Sequence, residues 1–210
     1  RGLGDVYKRQ NLGCPECPSG LRQFTRKTGN LKSELNTKII NEISTSLLYI
    51  NYYFQGEPFI NRNLFELIKE ASKKNIYTST STNAHYLTPK NAVKTVESGL
   101  DRLIISVDGT TQETYEAYRK GGSLSKVIQG TKNLINAKRD LKSKTPHIIF
   151  QFLVVRQNEH QIESAIKLSK NLSVDEIRFK TAQLYDYKNG NPLMPTIEKY
   201  SRYKKITIKV

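Results

Sequence analysis

Apolar positions along the chain fall into two alternating rhythms. Short runs dense in β-branched and aromatic residues, at 47–54, 76–81, 103–107 and 148–155, predict strands. Ile177 and Phe179, alternating with charges, predict a fifth. Between them the apolar spacing becomes helical. Leu64, Leu67, Ile68 and Ala71 share one face behind Asn61, which is placed to cap the helix. Thr88-Pro89 opens a helix with Ala92, Val93 and Val96 as its stripe, and Gly99 fits the stop. Thr110 with Glu113 forms a capping box for the next helix, and Leu124, Val127, Ile128, Thr131, Leu134 and Ile135 line another. Asn158 caps a last helix that runs through Ile162, Ala165, Ile166, Ser169 and Leu172.

Strands that are each separated from the next by a helix predict a parallel sheet covered by helices, an α/β fold. Two architectures satisfy this pattern, an open doubly wound sheet and a complete or partial barrel. In both, ligands sit beyond the carboxyl ends of the strands. The chain's unusual residues fall at those ends: Gly56-Glu57-Pro58, Thr82-Asn83, and Ser106 to Gly109. From Tyr185 the periodicity dissolves into Asn189-Gly190-Asn191-Pro192 and Pro195, so 185–210 reads as a linker toward a further domain.

Composition narrows the class. The 210 residues suit one large domain or two small ones. No apolar stretch is long enough to cross a bilayer and no leader opens the chain, so a cytoplasmic protein is expected. The net charge of +15 invites a nucleic-acid reading, but the cations are spread over nearly every predicted helix without a basic block. Solvated helix faces account for them.

Cys14 and Cys17 are the only cysteines, too few and too close for a disulfide scaffold. Two near thiols leave half a zinc site, a redox pair or another metal loop. His85, His147 and His160 show no ligand spacing and read as surface or structural residues. Pro15, Pro18, Gly13 and Gly20 mark an irregular loop rather than the strand-to-helix step of a redox pair, so metal binding is favoured.

The opening residues stand apart. Asp5 to Gln10 reads Asp-Val-Tyr-Lys-Arg-Gln, which GAT GTG TAT AAG AGA CAG encodes. That string ends a transposase adapter used in sequencing libraries. Residues 1–10 are therefore expected to be adapter read-through, with genuine sequence from Asn11.

Asn11 to Gly20, reading Asn-Leu-Gly-Cys-Pro-Glu-Cys-Pro-Ser-Gly, resembles the cluster loop of radical S-adenosylmethionine (radical SAM) enzymes. Specifically, it is similar to the branch with a carboxyl-terminal SPASM extension, which includes maturases of peptides and sulfatases. Gly56-Glu57-Pro58 resembles the family's Gly-Glu-Pro element, Thr82-Asn83-Ala84 its Thr-Asn-Gly step, and Ser106-Val107-Asp108-Gly109 its Ser-x-Asp-Gly turn. Tyr118 to Gly122 resembles the Arg-Gly-Gly turn, with Lys120 as a departure.

The resemblance implies a partial (β/α)6 TIM-like barrel over 11–184, lacking its first strand. It implies a [4Fe–4S] cluster on Cys14 and Cys17, a pocket for S-adenosylmethionine at Gly56, Glu57, Pro58, Asn83, Ser106, Asp108 and Arg119, and formation of a 5′-deoxyadenosyl radical. A reductant such as flavodoxin or ferredoxin and a peptide or protein substrate follow from it too. The family's first cysteine falls on position 10, which is glutamine here. Two rival readings are a degenerate binding module of the same fold and a nucleotide-binding oxidoreductase on an open sheet. Against the latter, no strand is followed by Gly-x-Gly-x-x-Gly.

Overall fold

The computed structural model describes residues 10–23 and 29–203; residues 1–9 of the expected adapter stretch and residues 204–210 of the expected linker lie outside them. Strands β1 (Tyr49–Asn51), β2 (Tyr77–Thr82), β3 (Arg102–Ser106), β4 (His147–Val154) and β5 (Glu176–Thr181) form one sheet in which every neighbouring pair is parallel. Helices α1 (Ser33–Ile43), α2 (Leu64–Ser72), α3 (Pro89–Glu97), α4 (Gln112–Tyr118), α5 (Leu124–Asp140) and α6 (Ile162–Asn171) alternate with them.

The strand order is β1-β2-β3-β4-β5, identical to the order along the chain. Parallel crossovers are right-handed, so a monotonic order puts every crossover helix on the same face and curls the sheet toward a barrel. A doubly wound sheet needs a reversal of strand order, and the described strands have none. The expected partial TIM-like barrel is borne out, and the open-sheet oxidoreductase loses its scaffold.

Side-chain alternation shows which face is which. Ile50, Tyr52, Leu103, Ile105, Ile148 and Phe150 are buried against α2, α3 and α5 residues such as Leu67, Ile68, Ala92, Val127 and Leu134. The opposite, concave face carries Tyr49, Tyr77, Arg102, Gln151, Arg178 and Lys180, which are half-buried or exposed. Buried Ser79, Ile104, Ile149 and Ser106 share that face, so it mixes packed and open positions, unlike the helix-covered face, which is buried throughout β2, β3 and β4. No helix among the described residues is long and apolar enough to cross a membrane.

Several local expectations need correction. Helix α1 was not foreseen, because its seven polar residues dilute the apolar period and only Asn36 and Ile40 are buried. Asn61 does not cap α2. Its Oδ1 accepts the Asn63 N–H at 3.1 Å and its amide donates to Leu31 O at 3.2 Å, which ties the turn to the segment before α1. The cap of α4 is Thr111, which accepts from Thr114 N–H, and not Thr110. Val93 is exposed and Thr95 takes its place on the buried stripe of α3. The strand expected at 47–54 is only three residues long, since the chain turns at Gly56 (φ +84°) toward Pro58. Its pairing continues one residue further, through Tyr52 N–H donating to Ser79 O at 2.7 Å.

Candidate functional site

The carboxyl ends of β1, β2 and β3 and the cysteine loop meet at one rim. Within the loop, Cys17 N–H donates to Cys14 O at 3.2 Å and Leu21 N–H to Cys17 O at 2.9 Å, a compact turn. Gly13 N–H donates to Lys120 O at 3.0 Å and docks the loop on the turn after α4. Gly20 is required by contact: a β-carbon there would lie 2.8 Å from Cys14 N and 2.9 Å from Cys14 O. Cys14 is 3% exposed and Cys17 half-buried; both are free thiols. Burial pushes the Cys14 thiol above its ordinary value against the opposing pull of Arg119.

Glu57, 2% exposed, is the hub of the rim. Its carboxylate accepts from Thr82 Oγ1 at 2.7 Å, Asn83 N–H at 2.7 Å and Phe59 N–H at 3.2 Å. Burial raises its pKa to about 7, and the three hydrogen bonds hold it from going higher. Gly56 supplies the left-handed turn before it, and Pro58 opens the short 3-10 turn Pro58–Ile60 behind it. Asn83 reaches from β2 to the loop, its amide donating to Asn11 Oδ1 at 2.7 Å and to Gln10 Oε1 at 3.3 Å.

From β3 comes Asp108, fully buried, whose Oδ1 accepts Leu153 N–H at 2.7 Å and whose Oδ2 accepts Arg119 Nε–H at 2.5 Å. Burial works against the Arg119 cation, but Asp108 and Cys14 outweigh it and hold the guanidinium above its usual value. Its Nη1 lies 3.7 Å from Cys14 Sγ, so one arginine joins the carboxylate to the thiol. Ser106, also buried, sits in register with Gln151 on the concave face.

The residues singled out from the sequence thus converge, and the structure adds others. Asn158 does not cap a helix by its side chain. Its amide ties Asp108 O to Leu153 O at 3.0 and 2.8 Å, and its Oδ1 accepts Val155 N–H at 2.8 Å. Glu16, between the cysteines, accepts from Tyr185 N–H at 3.1 Å and Asn191 Nδ2 at 3.4 Å. Leu193, Met194 and Tyr203 pack with Leu12, Cys14, Tyr118 and Leu184. The segment 184–203 is thereby strapped over the loop, and loops 156–157 hold its far side through Leu193, Met194 and Pro192 carbonyls. No apolar period announces those contacts.

Among the described residues two buried hydroxyls of this region, Ser19 Oγ in the cysteine loop and Tyr115 OH, have no hydrogen-bond partner. The iron donors are less complete. Cluster iron is held by cysteine thiolates, and the loop offers two. At position 10 stands Gln10, whose Oε1 already accepts Asn11 N–H at 2.8 Å and Leu12 N–H at 3.3 Å. Among the described residues no three His, Cys, Asp or Glu side chains gather as a metal site. The donors present fit two corners of a cluster and not the third.

The sequence matches the Radical SAM superfamily over residues 9–169. The chain belongs to that superfamily. Its radical SAM relatives include the PqqA peptide cyclases of Bradyrhizobium diazoefficiens and Rhodopseudomonas palustris, each 26% identical over 93% of this chain. The chain spans about half the length of these curated relatives, 50% in both cases. Among solved radical SAM structures, Streptococcus suis SuiB bound to S-adenosylmethionine superimposes with a TM-score of 0.69 at 15% identity, over 86% of this chain and 41% of SuiB. anSMEcpe with bound AdoMet gives 0.67 at 18% identity, over 94% of this chain and 54% of that one. The family resemblance and the fold drawn from the sequence are both borne out. The radical SAM family's cofactors are a [4Fe–4S] cluster and S-adenosylmethionine.

Proposed function

We propose that this chain is the radical-generating part of a longer radical SAM enzyme that modifies a peptide. The observation that carries the reading is the convergence of Glu57, Asn83, Asp108 and Arg119 on the Cys14 loop at the carboxyl rim of the sheet. In this reading Cys14 and Cys17 are cluster ligands, and Gly56, Glu57, Pro58, Asn83, Ser106, Asp108 and Arg119 line the S-adenosylmethionine pocket. The bound cofactors supply reductive cleavage to a 5′-deoxyadenosyl radical; the protein positions them and excludes water. Arg119 suits a carboxylate, since a guanidinium pairs with that planar anion at two points. A peptide substrate is supported by the relatives named PqqA peptide cyclase and by SuiB solved with its precursor peptide SuiA. A flavodoxin or ferredoxin is the proposed electron donor.

Residues 1–10 are proposed to be adapter-encoded, so that Gln10 stands where the intact gene encodes cysteine. Residues 11–184 are then the barrel domain and 185–210 lead toward a carboxyl-terminal domain. The two-thiol donor set favours a second reading, a degenerate module that binds without catalysis. Anaerobic reconstitution with iron and sulfide separates them. The chain as it stands is expected to hold a sub-stoichiometric, labile cluster, and Gln10→Cys a stable one near four irons per chain with 5′-deoxyadenosine formed on reduction. Equally poor incorporation in both proteins would favour the module.

A further inference from the structure

His85 lies just beyond β2, and the sequence alone suggests a surface or structural residue. Its backbone N–H donates to Asn83 Oδ1 at 3.1 Å, and its half-buried ring is engaged at both nitrogens. Nδ1 is 2.9 Å from Asn83 O, and Nε2 is 2.9 Å from the backbone nitrogen of Ser123. A backbone N–H can only donate, so Nε2 must present its lone pair. A neutral imidazole then carries its single proton on Nδ1, which donates to the Asn83 carbonyl. The two contacts together specify one tautomer and leave neither nitrogen free.

The ends of this link belong to different βα units. Asn83 closes β2 and reaches the cysteine loop. Ser123 caps α5 and directly follows the turn that begins at Arg119, where Gly122 N–H donates to Arg119 O at 2.8 Å. Gln112 holds the same turn from α4, donating to Gly122 O at 2.9 Å and accepting Leu124 N–H at 2.8 Å. Those contacts stay within one βα unit. Through its ring, His85 joins this turn to the neighbouring one.

We propose that His85 is a positioning residue of the cofactor pocket, a neutral imidazole strut that sets the Arg119 turn against Asn83. The proposal rests on the functional reading above and adds a residue to it. The strut has a built-in chemical weakness. A second proton would sit on Nε2 and face the Ser123 N–H, donor against donor, and the link would open. Burial disfavours that cation, the bond to Asn83 O favours it, and Lys126 on α5 and Arg119 at the end of α4 oppose it. The balance holds the imidazole neutral to lower pH than an ordinary histidine.

Two measurements test this. The two-bond ¹H–¹⁵N pattern of His85 in the chain as it stands is expected to show the Nδ1–H tautomer at neutral pH; an Nε2–H tautomer would overturn the proposal. Titration with S-adenosylmethionine into reconstituted Gln10→Cys protein supplies the functional arm. His85→Ala is expected to weaken binding on the order of 10-fold, the usual scale for an outer-shell partner. His85→Asn, which retains a donor near Nδ1, and His85→Gln, which places an amide oxygen near Nε2, should each recover part of the loss. Binding by the parent should fall on acidification only below the ordinary histidine range, and binding by His85→Gln should lack that step. Folded variants that bind like the parent with the same pH profile would overturn the strut. A parent that binds no S-adenosylmethionine, with the expected tautomer present, would overturn the functional reading and the role assigned within it.

Discussion

Asp108→Asn isolates one charge at the centre of the rim. The substitution keeps an oxygen for Leu153 N–H but strips Arg119 of its buried counter-ion. Removing one member of a buried ion pair costs roughly 3–5 kcal/mol, because the survivor is left charged without a partner. The Arg119 side chain is 15% exposed, so some water reaches it and the lower half of that range applies, about 3 kcal/mol. With a urea slope of about 2–3 kcal/mol per molar, the unfolding midpoint should fall by about 1–1.5 M. Asp108→Ala also orphans Leu153 N–H and should cost about 1–3 kcal/mol more. A companion Arg119→Met removes the other partner, and the double variant should be more stable than the sum of single effects predicts by at least about 1.5 kcal/mol. The assay is urea denaturation followed by circular dichroism on all five proteins: the parent, Asp108→Asn, Asp108→Ala, Arg119→Met and the Asp108→Asn/Arg119→Met double variant. A loss below about 1 kcal/mol for Asp108→Asn, or strict additivity in the double variant, would refute the claim that this pair is coupled and buried.

Glu57 makes stability depend on pH in an unusual direction. Its folded pKa of about 7 lies above the ordinary 4.5, so the folded chain keeps a proton that the unfolded chain releases between those values. Stability from this group is therefore full below about pH 4.5 and lost as pH rises to about 7, roughly 3 kcal/mol in all. The difference between parent and Glu57→Gln stability should trace that fall, and a difference that grows with pH would contradict it. Gly20→Ala should distort the cysteine loop, because the new methyl meets Cys14 backbone atoms. Iron and sulfide uptake in the Gln10→Cys background should drop several-fold, and undiminished uptake would show that the loop yields. Cys14 should react with iodoacetamide far more slowly than Cys17 in the metal-free chain, being buried and short of thiolate. Leu193→Ala should loosen the strap and narrow that gap, read by mass spectrometry of the two peptides.

The sheet was legible because its strands are short runs rich in β-branched residues, threonines in β2 and aliphatics in β3 and β4, and α2, α5 and α6 carry apolar residues at helical spacing. Periodicity alone left open sheet and barrel undecided, since both share it; the resemblance to the radical SAM family pointed to the barrel, and the strand order bears it out. The site was legible where it coincides with turn chemistry: Gly56, Asn83 and Asp108 all stand just past strands, and their neighbours announce it. What stayed hidden depends on long-range pairing. Asn158 looks like a helix cap in any local window, and only the fold turns its amide toward Asp108 and Leu153. His85 sits two residues beyond Asn83, but its second partner, Ser123, is 38 positions away. Helix α1 was missed for the opposite reason, as too few of its residues are buried to give a period.

The strap over the cysteine loop sets an order of events during synthesis. Glu16 and Tyr185 are separated by 169 residues, so the shell around Cys14 closes only when nearly all of the described chain has left the ribosome. Closing so long a loop is slow and entropically uphill until the sheet between has formed. Before then both thiols stand in water, open to oxidation or to stray metal. Afterwards Leu193 and its neighbours crowd the inner sulfur. Under the proposed cluster role of these cysteines, iron meets less obstruction before the strap arrives than after it.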